Sequence, residues 1–415
     1  MYKLFGDGIH DDTLAIQQLI DSGKCEVVLP APDVCYLISK PLELPSNFSL
    51  VLPRFAHIKL MPNSNCVMLK NKTEYAYSKR CSDPAWYYCN EYADDCVCKN
   101  IEVRGGIWDF NNKEQEPSPL ATGNFSIKEY SGFGMLFYNV SGLTVCSLTV
   151  KDPANFAMVL DKVSYFTVRD ICFDFNDGNP DCGNMDGVHL CGNCHFGTIE
   201  NIKGATYDDM VALNADEGSD GEISNITING LYAEDCHSAV RLLASKTTVK
   251  NIHISNVFGT YYQYCVGLTK FYESDTKGIY DAVTIDNVYA SKAERYCHGQ
   301  RTNPDGVKWS AFAPKKYADT EQRFEDSWNF ALIFIDANLN IKGLKISNLH
   351  RREENVPIDT IFIDKNTTVE QLILENITTE NHTKKYMPLF TNNGNVSNFK
   401  AYGIYEDGNQ TNLKA

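Results

Sequence analysis

A short phrase recurs along this chain: a turn, an alternation of polar and apolar residues, then Asn or Gly. It reads KNIEVRGG at 99–106, SGLTVCSL at 141–148, SYFTVRDI at 164–171 and SNITINGL at 224–231. It continues as KNIHISNV (250–257), DAVTIDNV (281–288), KGLKISNL (342–349), EQLILENI (370–377) and SNFKAYGI (397–404). The apolar residue in third place supplies a series of anchors: Ile101, Leu143, Phe166, Ile226, Ile252, Val283, Leu344, Leu372 and Phe399. A degenerate copy, HFGTIENI at 195–202, puts Gly197 in the gap after Phe166. From Leu143 to Val283 the steps are then 23, 31, 29, 26 and 31 residues, and the last two steps are 28 and 27. The step of 61 to Leu344 reads as two turns plus an insertion.

Spacing of this kind means stacked units, each burying its apolar face against the next. Strict alternation makes each unit a strand. No helix-length amphipathic stretch separates the copies, so strand–helix–strand units fit poorly. The expected fold is all-β: a single parallel β-helix over residues 1–415, a solenoid of about ten rungs. A second phrase precedes the first in most rungs and predicts a second strand per turn: NFAMVLD (155–161), MDGVHLC (185–191), DDMVALN (208–214), HSAVRLL (237–243) and YCVGLTK (264–270). NFALIFI (329–335) resumes it after a break. Asp11 and Asp12 before TLAIQQLID predict a capped amphipathic helix, so residues 1–24 would cover the open first rung. Residues 72–98 and 293–327 interrupt the rhythm and are expected to be loops lining a cleft.

The sequons at Asn47, Asn71, Asn124, Asn139, Asn225, Asn366, Asn376, Asn381, Asn395 and Asn409 would suit a glycosylated protein. Several sit at one position of the repeat, where a ladder of Asn side chains explains them without glycans. Fifteen cysteines at irregular spacings predict buried thiols rather than a disulfide framework. A balance of 38 basic against 53 acidic residues leaves a net charge of −15, which disfavours nucleic acid. No apolar run is long enough for a membrane span. The opening MYKLFGDGIHDD has no apolar core of signal-peptide length, so the expectation is a cytoplasmic protein, or a secreted one whose leader has been removed.

Aligning the second-strand phrases stacks Asp186, Asp209 and Ser238 in one column, with Met185, Asp208 and His237 in the column before it. His189, Ala212 and Arg241 form a third. Neighbouring rungs lie about 4.8 Å apart, so three acids would crowd together and at least one would keep its proton near neutral pH. An acid beside a base is what glycoside hydrolysis requires. A solvated Asp ladder and a calcium site are the other outcomes such a cluster allows.

These residues resemble a known family. FGDGIHDDTLAIQQLID is similar to the N-terminus of right-handed β-helix proteins of the pectate-lyase superfamily. RGGIWDFNN (104–112) resembles the Gly-Gly-x-x-Asp-Gly phrase of polygalacturonase-type glycoside hydrolases, family 28. Asn184-Met185-Asp186 followed by Asp208-Asp209 resembles that family's Asn-Thr-Asp and Asp-Asp. The resemblance implies Asp208 as general acid, and Asp186 with Asp209 as the pair activating water, with inversion at the anomeric carbon. The acid and base would stand roughly 6.5–9.5 Å apart. Asn184, His189, His237, Arg241 and Lys270 are the candidate substrate contacts.

The family's Gly-His-Gly is here Cys236-His237-Ser238, and its Arg-x-Lys falls near Leu268-Thr269-Lys270, without the Arg. A lone Lys is a point charge, lacking the guanidinium fork that holds a carboxylate at two points. The expected substrate is therefore an α-linked carbohydrate, neutral at the cleavage site or with one uronate held by Arg241 and Lys270, attacked from a chain end. No cofactor or metal is expected. A uronate lyase or epimerase, and a non-catalytic carbohydrate-binding or display helix, are the alternatives. Cys191-Gly-Asn-Cys194-His195 has the form of a c-type haem attachment site but reads better as buried thiols in a turn. Cys81, Cys89, Cys96 and Cys98 lack zinc-finger spacing, and Trp86, Tyr87, Tyr88, Tyr92, Trp309, Phe312 and Trp328 are candidates for a sugar-stacking wall.

Overall fold

The computed structural model describes residues 3–72, 97–116, 132–175, 184–293 and 330–414, with the backbone of 298–302 and 308–311. It is a right-handed parallel β-helix. Each expected anchor is in register with the next, from Ile101 through Leu143, Phe166, Gly197, Ile226, Ile252, Val283, Leu344 and Leu372 to Phe399. Phe48 carries the column one rung earlier. Gly197 breaks the apolar pattern for a steric reason: a Cβ there would lie 2.0 Å from Cζ of Phe166, whose ring fills the space.

Val283 pairs directly with Leu344, so the step of 61 residues is one turn with a long excursion, not the two turns expected. The antiparallel pair His298–Thr302 and Lys308–Ala311 belongs to that excursion and forms a separate sheet. Its two ends are tied together inside the protein. The fully buried Lys292 donates from Nζ to the carbonyls of Gln263 and Phe330, each at 2.8 Å. Beside it the buried Arg351 donates from Nη2 to Oε2 of Glu353 at 2.7 Å, and Oε2 also accepts the backbone N–H of Lys292 at 3.1 Å.

Two further parallel ladders complete the turns. One runs from Tyr36 through Ile58, Trp108 and Val150 to Phe173. The other, which carries the second-strand phrases, runs Leu42, Leu69, Met135, Met158, Val188, Val211, Val240, Val266, Ile333, Ile361 and Phe390. The side chains between the ladders form one continuous apolar core.

The turns explain the recurring Asn. Asn47, Asn100, Asn225 and Asn251 precede their anchors with φ of 58°, 55°, 60° and 53°, a left-handed conformation that Asn tolerates better than most residues. Their side chains bond between rungs, Asn100 to Asn47 at 2.8 Å and Asn251 to Asn225 at 3.0 Å. Asn376 does the same to Asn348 at 3.1 Å. The sequons at Asn47, Asn225 and Asn376 thus have a place in the ladder.

The helix Thr13–Ile20 buries Ala15, Ile16 and Ile20 over the first rungs. Gln17 docks it like a strand partner: Nε2 donates to the carbonyl of Glu43 at 3.1 Å, and Oε1 accepts its N–H at 2.9 Å. Asp12 stands at the N-cap but makes no capping bond with its side chain, and the two acids divide their work. Asp11 Oδ1 accepts the N–H of Thr13 at 2.8 Å, whereas Asp12 turns back to accept the N–H groups of Phe5 and Gly6 at 2.6 and 3.1 Å. No helix among the described residues is long and apolar enough to cross a membrane.

Candidate active site

The three acids come together where the alignment of second strands put them. Asp209 is in register with Ser238, and Val188 with Val211, which places Asp186 on the rung before Asp209. The residue after Asp186 has to be glycine, since a Cβ on Gly187 would lie 2.4 Å from the Phe173 ring and 2.5 Å from the carbonyl of Met210. Asp186 Oδ1 accepts the backbone N–H of Asp209 at 3.0 Å. Asp209 in turn accepts the hydroxyl of Ser238, and its Oδ2 is 3.7 Å from Nη1 of Arg241. Oδ1 of Asp208 faces Nδ1 of His237 at 3.4 Å.

The three carboxylates differ in exposure: the side chain of Asp208 is 24% exposed, against 3% for Asp186 and 1% for Asp209. Asp208 alone of the three is open to solvent. Their proton affinities diverge accordingly. Burial and the nearby Asp208 raise Asp186 well above the ordinary carboxylate range. Burial and Asp208 push Asp209 up to about 6 against the pull of Arg241. For Asp208 burial acts the same way, but His237 and Arg241 outweigh it and hold the group low.

His189 behaves differently from the expected substrate contact. It is 1% exposed, with Nδ1 2.6 Å from Asp186 Oδ2 and Nε2 2.8 Å from Glu217 Oε2. Phe156 stacks on the ring at 4.0 Å between centroids. Burial would lower its proton affinity, yet Cys191, Asp186 and Glu217 around it raise it well above the usual imidazole value. His189 is thus enclosed between Asp186 and Glu217, with almost no surface left for a substrate to touch. Glu217 is held by Asn214 Nδ2, which donates to the same Oε2 at 2.8 Å, and by the Tyr272 hydroxyl, which donates to Oε1 at 3.0 Å. The sequence offered no signal for Glu217, which lies in a turn outside both repeated phrases.

Asn184 stands half-buried with φ of 57° on the turn leading into Asp186. His237 is buried beside Asp208, its ring 6.1 Å from that of Tyr262. Arg241 reaches Thr269 Oγ1 from Nε at 3.2 Å and lies over the Phe271 ring at 5.0 Å. Lys270 shares a cavity wall with Arg241, but its ammonium is turned to the carbonyls of Ser274 and Thr276 at 2.8 and 2.7 Å.

Asp208, Asp209 and His237 each offer a ligand atom within 4.8 Å of the others, an arrangement able to hold a hard cation. Cys194 is a buried thiol that donates to the carbonyl of Leu160 at 3.4 Å, and burial pushes it well up, as befits packing rather than haem or metal attachment. Cys81, Cys89, Cys96, Trp86, Tyr87, Tyr88, Tyr92, Phe312, Trp328 and the Trp309 side chain lie outside the described residues, as does most of both expected loop insertions.

No protein-family model matches this chain, and no curated protein matches it. Among solved structures it is similar to the exopolygalacturonase of Thermotoga maritima, at 13% identity and a TM-score of 0.62 over 97% of this chain and 90% of that one. It is similar to the polygalacturonase of Erwinia carotovora ssp. carotovora, at 16% identity and 0.58 over 94% of each. A tailspike protein of E. coli bacteriophage HK620 aligns at 14% identity and 0.60, over 96% of this chain and 63% of the tailspike. At such identities the likeness carries the fold alone.

Proposed function

We propose that the chain is a glycoside hydrolase acting on an α-linked carbohydrate. The observation that carries this is the division of proton affinity among three carboxylates on adjacent rungs: Asp208 held low at the groove, Asp186 and Asp209 raised behind it. Two solved structures that share its fold are polygalacturonases, so the fold is one that accommodates this chemistry.

Asp208 is the carboxylate that can meet a glycosidic oxygen, so it acts as general acid. In the resting protein the proton it needs resides on the buried acids. As substrate displaces water from the groove, Asp208 loses solvation and takes that proton from Asp209. Asp209 is reprotonated in turn by Asp186 on the rung before it, so Asp208 protonates the leaving oxygen while Asp186, now ionised, accepts a proton from the attacking water. Asp208 and Asp209 present oxygens within 4.8 Å, closer than the roughly 6.5–9.5 Å that inversion needs between acid and base. Asp186, on the rung before Asp209, is assigned as the base, with Asp209 as the reservoir between them.

The anomer of the first product tests this, followed by proton NMR during hydrolysis of a defined oligosaccharide. The inverted anomer is expected before mutarotation; the retained one would sink the assignment of Asp186 and leave the Asp208–Asp209 pair as acid and nucleophile.

A cation-dependent lyase or epimerase on a uronate is the second possibility, favoured by the convergence of Asp208, Asp209 and His237. Its signature is an unsaturated or epimerised product in place of a new reducing end.

A further inference from the structure

A cavity of about 540 Å³ lies beside the carboxylates on the side of the C-terminal rungs, with Arg241, Tyr264, Phe334, Asp336, Phe362 and Asp364 in its walls. The volume is of the size that small-molecule sites have. The strand register fixes its position. Arg241, Gly267, Phe334 and Phe362 occupy one column on successive rungs. At about 4.8 Å per rung, the phenyl rings begin roughly 10 Å beyond Arg241. Gly267 leaves no side chain between them, and the Tyr264 ring closes over it, 2.7 Å from where a Cβ would stand.

The rings form a wall: Phe334 and Phe362 lie 6.1 Å apart and 11° from parallel, and Phe330 stacks on Phe334 at 4.3 Å. Phe334 is only 6% exposed, with Tyr264 stacked on it as well, so the half-buried Phe362 is the ring that can meet the C–H surface of a pyranose. The charges around them are unequally committed. Arg241 is engaged with Asp209, Thr269 and Phe271, and Lys270 with two carbonyls. Asp336 accepts the N–H groups of Lys270 and Ala337 at 2.9 and 2.7 Å, and Asp364 that of Lys365 at 2.6 Å. Both carboxylates can still accept hydroxyl protons, but a uronate set against them would meet like charge with no uncommitted cation among the described lining residues.

We propose that this cavity is a subsite for one uncharged pyranose, stacked on Phe362 with its hydroxyls donated to Asp336 and Asp364, and closed to a uronate. Its adjacency to a cleavage point rests on the hydrolase function proposed above; the binding itself does not.

The test is saturation-transfer NMR on the full chain at neutral pH. The probes are methyl α-D-galactopyranoside and methyl α-D-galactopyranosiduronate, which differ in the charge at C6. The neutral glycoside binds and the uronate does not. Phe362→Ala weakens neutral binding roughly 2- to 12-fold, the range for one aromatic contact. The double variant Asp336→Asn, Asp364→Asn keeps the neutral ligand and admits the uronate, a gain that misfolding cannot imitate. Uronate binding as strong as neutral binding in the unaltered chain overturns the proposal, and so does undiminished neutral binding in Phe362→Ala with an unchanged melting curve. Failure to cleave any oligosaccharide while this binding pattern holds counts against the hydrolase function alone.

Discussion

The carboxylate of Asp186 accepts the main-chain N–H of Asp209 at 3.0 Å, so the two acids stacked on neighbouring rungs are fixed through backbone as well as side chain. The site's geometry is thereby built into the rung spacing. Asp208, next in sequence to Asp209, is left to the groove.

Asp208→Asn removes the acid and keeps the shape. The rate on a natural oligosaccharide falls roughly 10²- to 10⁴-fold, the usual worth of general acid–base help. Aryl glycosides with good leaving groups are partly spared, since they need less protonation. A loss under tenfold on the oligosaccharide, measured as kcat, would remove Asp208 from the role and favour a carbohydrate-binding or display helix.

Gly187→Ala sets a methyl against the Phe173 ring and the Met210 carbonyl. Overpacking of this kind costs about 1–3 kcal/mol. It also moves the turn that aims Asp186. Both the melting temperature and kcat fall; an unchanged kcat would show that the aim of Asp186 is immaterial.

Asp161 is fully buried, with Oδ1 accepting the N–H of Ser219 at 3.1 Å and Oδ2 without a partner. Burial pushes it up to about 7. Below about pH 4 both folded and unfolded chains hold the proton, so it costs nothing. Between about pH 4 and 7 the unfolded chain ionises and the folded one does not, and stability falls by on the order of 4 kcal/mol. Asp161→Asn removes that penalty. Its gain in melting temperature should grow across this window and level off above it; a gain independent of pH would contradict the ionisation account.

Chelation leaves activity unchanged, because paired carboxylates need no ion. Activity lost with chelator and regained with calcium would make Asp208, Asp209 and His237 a cation site, and move the chemistry towards a lyase.

Asn251 tests the turn ladder. Its φ of 53° suits Asn and Gly, and its amide bonds to Asn225. Asn251→Gly keeps the backbone and loses the bond, whereas Asn251→Val loses both and adds about 1–3 kcal/mol of strain. Urea midpoints should order Asn, Gly, Val from high to low; equal midpoints for Gly and Val would deny the backbone its part.

Most of the solenoid was legible because alternation and spacing report the same thing, the burial of one face per rung. The exceptions have local causes. The early strands Glu26–Val28, Tyr36–Ile38 and Leu42–Leu44 are too short to show a period. Val283 and Leu344 pair across a distance in sequence that counting alone assigns to two turns. The carboxylates were legible because strand alignment is a spatial statement. Glu217 was not, since its turn has no counterpart on other rungs, and the burial of His189 depends on Phe156 and Glu217, which no spacing connects to it.

Lys292 fastens the point where the chain leaves the solenoid to the point where it returns. With both ends clamped to each other, the entropy of whatever lies between is nearly uncoupled from the rungs, since loop closure grows only slowly with length. Evolution can thus lengthen, shorten or exchange that stretch as a cassette. The rungs that hold Asp186, Asp208 and Asp209 would keep their places while the excursion changed in length or sequence.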